Sequence, residues 1–176
     1  MQLLDLLESA ARSGASTVSL SISEQPGEDL LAIEIQDDGW GPDPETHPGA
    51  AAINDWAGSR SLVFLDCCEA AIRDAGGSFS VRRSLLGGLW LSLQLPLSGL
   101  ERDPLDDLAS LLASVVCTHQ GLELVCRVRL GADERCLHVS DLLAELPDAE
   151  RGGLEVARTV SECLAARLVG PNTSAN

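Results

Sequence analysis

Hydrophobic positions along this chain alternate between a spacing near 3.6 and a spacing of 2, and the changes mark out its elements. Leu3, Leu4, Leu7 and Ala11, with Leu6 and Ala10 beside them, recur at helical spacing, and Gly14 follows as a stop. The chain therefore opens with an amphipathic helix whose more polar side carries Asp5, Glu8, Ser9 and Arg12, with Asp5 and Ser9 one turn apart. Thr17 to Ser23 sets Val18, Leu20 and Ile22 against Thr17, Ser19 and Ser21, the pattern of a half-buried strand. Gln25-Pro26-Gly27-Glu28 turns it into a second strand, Leu30 to Gln36. That strand runs out into Asp37-Asp38-Gly39-Trp40-Gly41, where glycines let the backbone approach a ligand closely. This turn is the candidate site.

From Asp38 to about Gly58 the text is Gly, Pro, Asp and Ala with His47 and two Trp, and a connection of this length predicts a lid or loop over the turn. Ser61 to Ala75 predicts a helix stopped by Gly76-Gly77, and Ser78 to Arg83 and Leu89 to Leu95 predict strands joined across Leu85 to Gly88. Pro96 to Pro104 is a joint. Asp103 to Thr118 predicts a helix with Leu105, Leu108, Leu112 and Val115 as its stripe and Asp106 and Asp107 in its first turn. A last hairpin is expected from Leu122 to Leu130 and Arg135 to Val139 about Gly131-Ala132-Asp133-Glu134, then a helix from Leu154 to Leu168 and a frayed end at 171–176. The fold class is α+β, with helices on one face of a largely antiparallel sheet. No fixed-period repeat is visible, although the last part echoes a helix-hairpin-helix order.

Composition narrows the function. At 176 residues a single body is expected. The net charge of -15, from 27 acidic and 12 basic residues, argues against a nucleic-acid partner, whose phosphates need clustered cations. All the basic residues are Arg, which removes lysine phosphate clamps and Schiff-base chemistry. Cys67, Cys68, Cys117, Cys126, Cys136 and Cys163 include no Cys-x-x-Cys pair and read as reduced thiols. The N-terminus is acidic, and no run approaches the roughly 20 apolar residues of a membrane span, so a cytoplasmic protein with no membrane partner is expected. His47, His119 and His138 have no partner at a motif spacing, which gives them surface or capping roles and proposes no triad.

The run from Leu3 to Asp43 resembles the opening of the GHKL (Bergerat-fold, histidine-kinase-like) ATP-binding proteins. More narrowly it resembles the small stand-alone bacterial members often encoded beside iron-only hydrogenases. In that family a helix carrying an acid and a magnesium-binding Asn precedes Arg-x-Gly-Ala, a hairpin, and an Asp-x-Gly-x-Gly turn whose Asp holds the adenine amino group. Arg12-Ser13-Gly14-Ala15 and Asp37-Asp38-Gly39-Trp40-Gly41 match in order and spacing. Ala75-Gly76-Gly77 and Arg102-Asp103-Pro104-Leu105-Asp106-Asp107 extend the likeness over nearly the whole chain. The resemblance implies a two-layer α/β sandwich of histidine-kinase-like ATPase fold over 1–96, a C-terminal helix-hairpin-helix extension at 97–170 packed on the same body, and a flexible tail at 171–176. It further implies ATP or ADP as cofactor, held by Asp37, Gly39, Gly41, Glu8 and Ser9, with Asp5 at the general-base position.

Departures from the family change that expectation. Ser9 stands where the magnesium-binding Asn belongs and lacks its carbonyl's reach, so no Mg²⁺ or other metal is expected. Asp5 is one methylene shorter than the water-activating Glu of related ATPases. Leu62 and Phe64 fall where the family has a Gly-x-Gly phosphate lid, and they cannot cheaply adopt the backbone that wraps phosphate oxygens. Burial in the vacated phosphate space is expected for both. The expectation is a degenerate protein, a pseudo-ATPase acting as a regulatory or structural partner, with a hydrogenase-type redox complex as the partner the resemblance implies. Two alternatives stand beside it: a working ATP-binding or kinase-like ATPase with unusual ligands, and an adenine-nucleotide sensor. Asp37 reads equally as an adenine acceptor or as a turn-capping carboxylate, and Glu8 and Asp5 as a solvated helix face.

Overall fold

The computed structural model describes residues 3–39, 60–100, 107–119, 121–145 and 154–168. Gly41, His47, the 40–58 part of the expected lid, the 101–104 part of the joint, Leu105 and Asp106 of the expected third helix, and the 171–176 tail lie outside the described residues. So do the side chains of Leu62, Val63 and Phe64, on which the expected plug rests.

Helix α1 spans Leu3–Arg12 and buries Leu3, Leu6, Leu7, Ala10 and Ala11, the stripe its spacing encodes. Strands β1 (Thr17–Gln25) and β2 (Leu30–Asp37) follow as an antiparallel hairpin with Leu20 opposite Ile35 and Ile22 opposite Ile33. The turn between them is anchored elsewhere, because the Asp29 carboxylate accepts from the Ser98 amide at 2.7 Å and hydroxyl at 2.6 Å. Helix α2 covers Arg60–Asp74, and strands β3 (Ser78–Arg83) and β4 (Leu89–Pro96) form the second hairpin. Helix α3 (Leu108–Thr118), strands β5 (Glu123–Leu130) and β6 (Asp133–His138), and helices α4 (Val139–Glu145) and α5 (Leu154–Leu168) complete the order.

All six strands belong to one sheet in the order β3-β4-β2-β1-β5-β6. Four neighbouring pairs are antiparallel, and β1 pairs with β5 in parallel, Val18 beside Leu124 and Leu20 beside Cys126. A parallel neighbour cannot be reached by a tight turn, and α3 lies in the connection that carries the chain from β4 to β5. One face of the sheet is closed by Val18, Leu20, Ile22, Leu31, Ile33, Ile35, Leu91, Leu93, Leu124, Cys126 and Val128, and buried residues from all five helices join them in one core. On the other face Ser19, Ser21, Glu34, Gln36, Trp90 and Ser92 are only half-buried. The protein is thus α+β with helices against one side of a mixed six-stranded sheet. Among the described residues no helix is long and apolar enough to cross a membrane.

Most strands and the second helix differ from the sequence expectation by one or two residues at an end, and three of the changed boundaries have a local cause. Strand β6 starts at Asp133 rather than Arg135, because Gly131 at φ +61 lets a two-residue turn suffice and frees Asp133 and Glu134 to pair with Leu130 and Arg129. The seven-residue α4 takes Val139, which β-propensity had placed at the end of the strand, and buries it completely. Helix α3 begins at Leu108, so Asp107 is its N-cap residue and not part of its first turn. All six cysteines are free thiols. Cys126 fills the core beneath the sheet, and burial pushes its thiol up to about 12.

Candidate functional site

Alternation along β2 puts Asp37 on the same face as Leu31, Ile33 and Ile35, so a carboxylate ends a row of core side chains and is 3% exposed. A carboxylate there needs donors, and it receives them from the main chain. Its Oδ1 accepts from the Gly39 amide at 2.9 Å and from the Leu89 amide at 3.2 Å, while its own carbonyl accepts from the Gly88 amide at 3.0 Å. Asp37 therefore fastens the end of β2 to its own turn and to the start of β4. Burial raises its pKa, the Leu89 and Gly39 bonds act against that rise, and the neighbouring Asp38 charge adds to it.

The glycines around Asp37 are required by close approach. A Cβ on Gly88 would lie 2.0 Å from Asp37 Oδ1 and 2.7 Å from its carbonyl oxygen; one on Gly39 would lie 1.8 Å from Ser13 Oγ. The second of these contacts sets the end of α1 directly against the turn. Asp38 strengthens that junction: its Oδ1 accepts from the Ser16 and Thr17 amides, both at 2.8 Å, and Oδ2 accepts from the Ser16 hydroxyl. Partial burial would raise the Asp38 pKa, and these bonds together outweigh it and hold the carboxyl below the usual carboxylate value.

The polar side of α1 does not act as one group. Glu8 Oε2 lies 3.0 Å from His119 Nε2, at the C-cap of α3, and 3.2 Å from Arg12. Asp5 is exposed, and Ser9 is half-buried with its carbonyl accepting from the Ser13 amide at 3.2 Å. Of the residues expected to hold a nucleotide, Asp37 and Gly39 sit together, Glu8 is engaged by a hydrogen bond with His119 in the second half of the chain and by Arg12, and Gly41 lies outside the described residues. Leu62 and Phe64 have helical backbone within α2, at the positions of the expected glycine lid, and the next residue, Leu65, is buried in the core.

The chain matches no family model and no curated protein. Its chemistry is therefore read from geometry. Asp37 Oδ1 is occupied by two backbone amides, so among the described residues the carboxylate serves first to tie the turn to β4. Among the described residues no three His, Cys, Asp or Glu side chains gather where they could hold a metal ion.

Sequence reasoning missed Ser13, Ser16, Gly88, Leu89 and His119 as parts of this region. The pairing of Glu8 with His119 spans 111 positions and carries no local signal. Gly87-Gly88 did carry one: Gly87 alone supplies the positive φ of the turn, at +114, which leaves Gly88 with no turn duty and a close contact to explain it.

Proposed function

We propose that this chain is a degenerate GHKL-type protein of the Bergerat ATP-binding fold, with its C-terminal helix-hairpin-helix part added to that unit, that has weak or no ATP turnover and works in the cytoplasm as a regulatory or structural partner. The observation that carries this reading is Asp37. The residue that would hold an adenine amino group is buried at the end of β2, and its Oδ1 is committed to two backbone amides. Further support comes from Glu8, tied to His119 and Arg12, and from exposed Asp5 in place of a longer base. A hydrogenase-type redox complex is the partner the resemblance suggests.

A second reading, a sensor of adenine nucleotides, is favoured by one feature: the turn brings a buried carboxylate and two side-chain-free residues, Gly39 and Gly88, together. Calorimetric titration with ATP, ADP and AMP, with and without Mg²⁺, separates the cases. The first reading expects no magnesium-dependent heat and no phosphate release. AMP and ATP binding equally, without Mg²⁺, would move the assignment to the sensor, and magnesium-dependent ATP hydrolysis above an Asp37→Asn control would overturn both.

A further inference from the structure

The β3–β4 turn holds two leucines at its tip. Leu85 is fully exposed, at 100%, and Leu86 is 44% exposed. Among the described residues one other large apolar side chain is exposed, Leu130 on β5, with β2 and β1 between it and this hairpin. The turn itself is firmly built: the Ser84 amide donates to the Gly88 carbonyl at 2.9 Å, the Gly87 amide to the Ser84 carbonyl at 3.1 Å, and the Leu86 amide to Ser84 Oγ at 3.0 Å. Beside Leu85 a hollow of about 190 Å³ is lined by Gln36, Arg82, Arg83, Leu85 and Trp90. Each polar side chain lining it is already engaged within the chain. Gln36 Oε1 accepts from Ser84 Oγ at 3.4 Å, Trp90 Nε1 donates to Glu34 at 3.5 Å, the Arg82 guanidinium stands 5.1 Å from the centre of the Trp90 ring, and Arg83 has an interaction of its own. What remains to offer an incoming group is hydrocarbon, from Leu85 and the Trp90 ring. The hollow is smaller than the roughly 300–1,000 Å³ of small-molecule pockets and suits one inserted side chain.

We infer that this patch is a self-association surface, on which Leu85 of one copy enters the hollow beside Leu85 and Trp90 of a second copy and receives the second copy's Leu85 in return. Shape selects this occupant. The patch carries both halves of the contact side by side, a projecting leucine and a hollow of the size that takes one, so it matches itself across a two-fold axis. A different protein would have to bring both halves. Because β3 is an edge of the sheet, no strand among the described residues covers this end of the hairpin. A contact of this size belongs with weak interfaces, which bury less than about 1,200 Å². The charge of -15 on each copy opposes it. Salt therefore acts with a definite sign: shortening the Debye length from about 8 Å at 0.15 M to about 3 Å at 1 M relieves the repulsion and strengthens the pairing.

The test is the mass of the full chain by analytical ultracentrifugation from about 1 μM to 1 mM, at 0.15 M and 1 M NaCl. Leu85→Ser removes the projecting side chain and Trp90→Ala the floor that receives it. Leu130→Ser, the loss of an exposed leucine elsewhere on the sheet, is the control. A thermal melt by circular dichroism checks that each variant remains folded, and Leu85 is so exposed that its replacement leaves the core untouched. The expected result is a mass that rises towards the dimer with concentration, rises further at 1 M NaCl, and needs about tenfold more protein in Leu85→Ser and Trp90→Ala but not in Leu130→Ser. A monomer at every concentration, pairing that salt weakens, pairing unchanged in Leu85→Ser, an equal loss in Leu130→Ser, or growth past the dimer without a plateau overturns the proposal. Partition onto neutral phosphatidylcholine vesicles with no rise in mass also overturns it and assigns the leucines to a membrane surface. No nucleotide enters the measurement, so its failure and the failure of the nucleotide reading give different results.

Discussion

Replacing Asp37 by Ala tests whether this carboxylate is held for its acceptor oxygen or for its charge. The substitution leaves the Gly39 and Leu89 amides without their acceptor at a place that is 3% exposed. A buried donor stripped of its partner costs about 1–3 kcal/mol. Against this, the variant no longer buries a charge, a saving whose existence shows in the raised pKa. The net expectation is a loss of about 2–4 kcal/mol for Asp37→Ala and of less than about 1 kcal/mol for Asp37→Asn, whose amide oxygen still accepts. The pH dependence follows from the sign of the shift. The folded carboxyl binds its proton more tightly than the unfolded one, so between the unfolded value of 3.8 and the raised folded value the native state holds more protons. Its contribution to stability is present below 3.8 and is lost as pH rises through the folded value. Asp37→Asn removes that loss. Urea denaturation of the three proteins across acidic to neutral pH measures all of this, and Asp37→Asn falling as far as Asp37→Ala would refute the acceptor argument.

The same geometry gives three further expectations. Gly88→Ala drives a methyl group into the Asp37 carboxylate and should cost more than about 2 kcal/mol in denaturant unfolding, whereas Gly27→Ala, with open space around it, should cost less than about 1 kcal/mol. Asp38→Ala releases the Ser16 and Thr17 donors and should destabilise by about 1–2 kcal/mol at neutral pH. Because the folded Asp38 value is lowered, the difference from Asp38→Asn should be present above 3.8 and fade as pH falls through the folded value. Glu8→Gln removes the ion pair with Arg12, which is largely exposed, while Gln can still hydrogen-bond His119, and should change the denaturation midpoint by the equivalent of less than about 1 kcal/mol; a larger loss would mean that α1 and α3 depend on the carboxylate.

The front of the chain was the more legible part. Apolar alternation in β1 and β2 is nearly complete, and the burial of Val18, Leu20, Ile22, Leu31, Ile33 and Ile35 follows it residue by residue. Period-3.6 spacing set both limits of α1 correctly, and α5 was placed from Leu154 to Leu168. What local pattern could not supply was pairing. Leu122 to Leu130 reads as a hairpin strand whichever neighbour it takes, and its parallel seat beside β1 depends on how α3 crosses the sheet. The site shows the same division: Asp37 and Gly39 stand out as a turn, but the amide of Leu89 that fixes Asp37 lies 52 positions away.

Strand β1 explains why the parts of the site are held as firmly as they are. It has hydrogen-bonded neighbours on both edges, β2 on one and β5 on the other, and its inward side chains are almost wholly buried. Its first residues are also where the site is tied in, since Ser16 and Thr17 donate to Asp38 and the Ser16 carbonyl accepts from the Glu123 amide at 2.9 Å, at the start of β5. A movement of Asp38 and its turn away from α1 would therefore pull on the alignment of both sheet halves. Such coupling resists the opening of a cleft beside Asp37, because a moving lid requires neighbouring backbone that can yield at little cost. The hairpin tip at Leu85 and Leu86 sits on the other side of the balance: its turn is bonded within itself, from Ser84 Oγ to Gln36 and through Gly88 to Asp37, while the two leucine side chains stay exposed. Rigidity at Asp37 and exposure at Leu85 thus meet across Gly88, whose amide donates to the Asp37 carbonyl at 3.0 Å while a Cβ there would strike the Asp37 carboxylate.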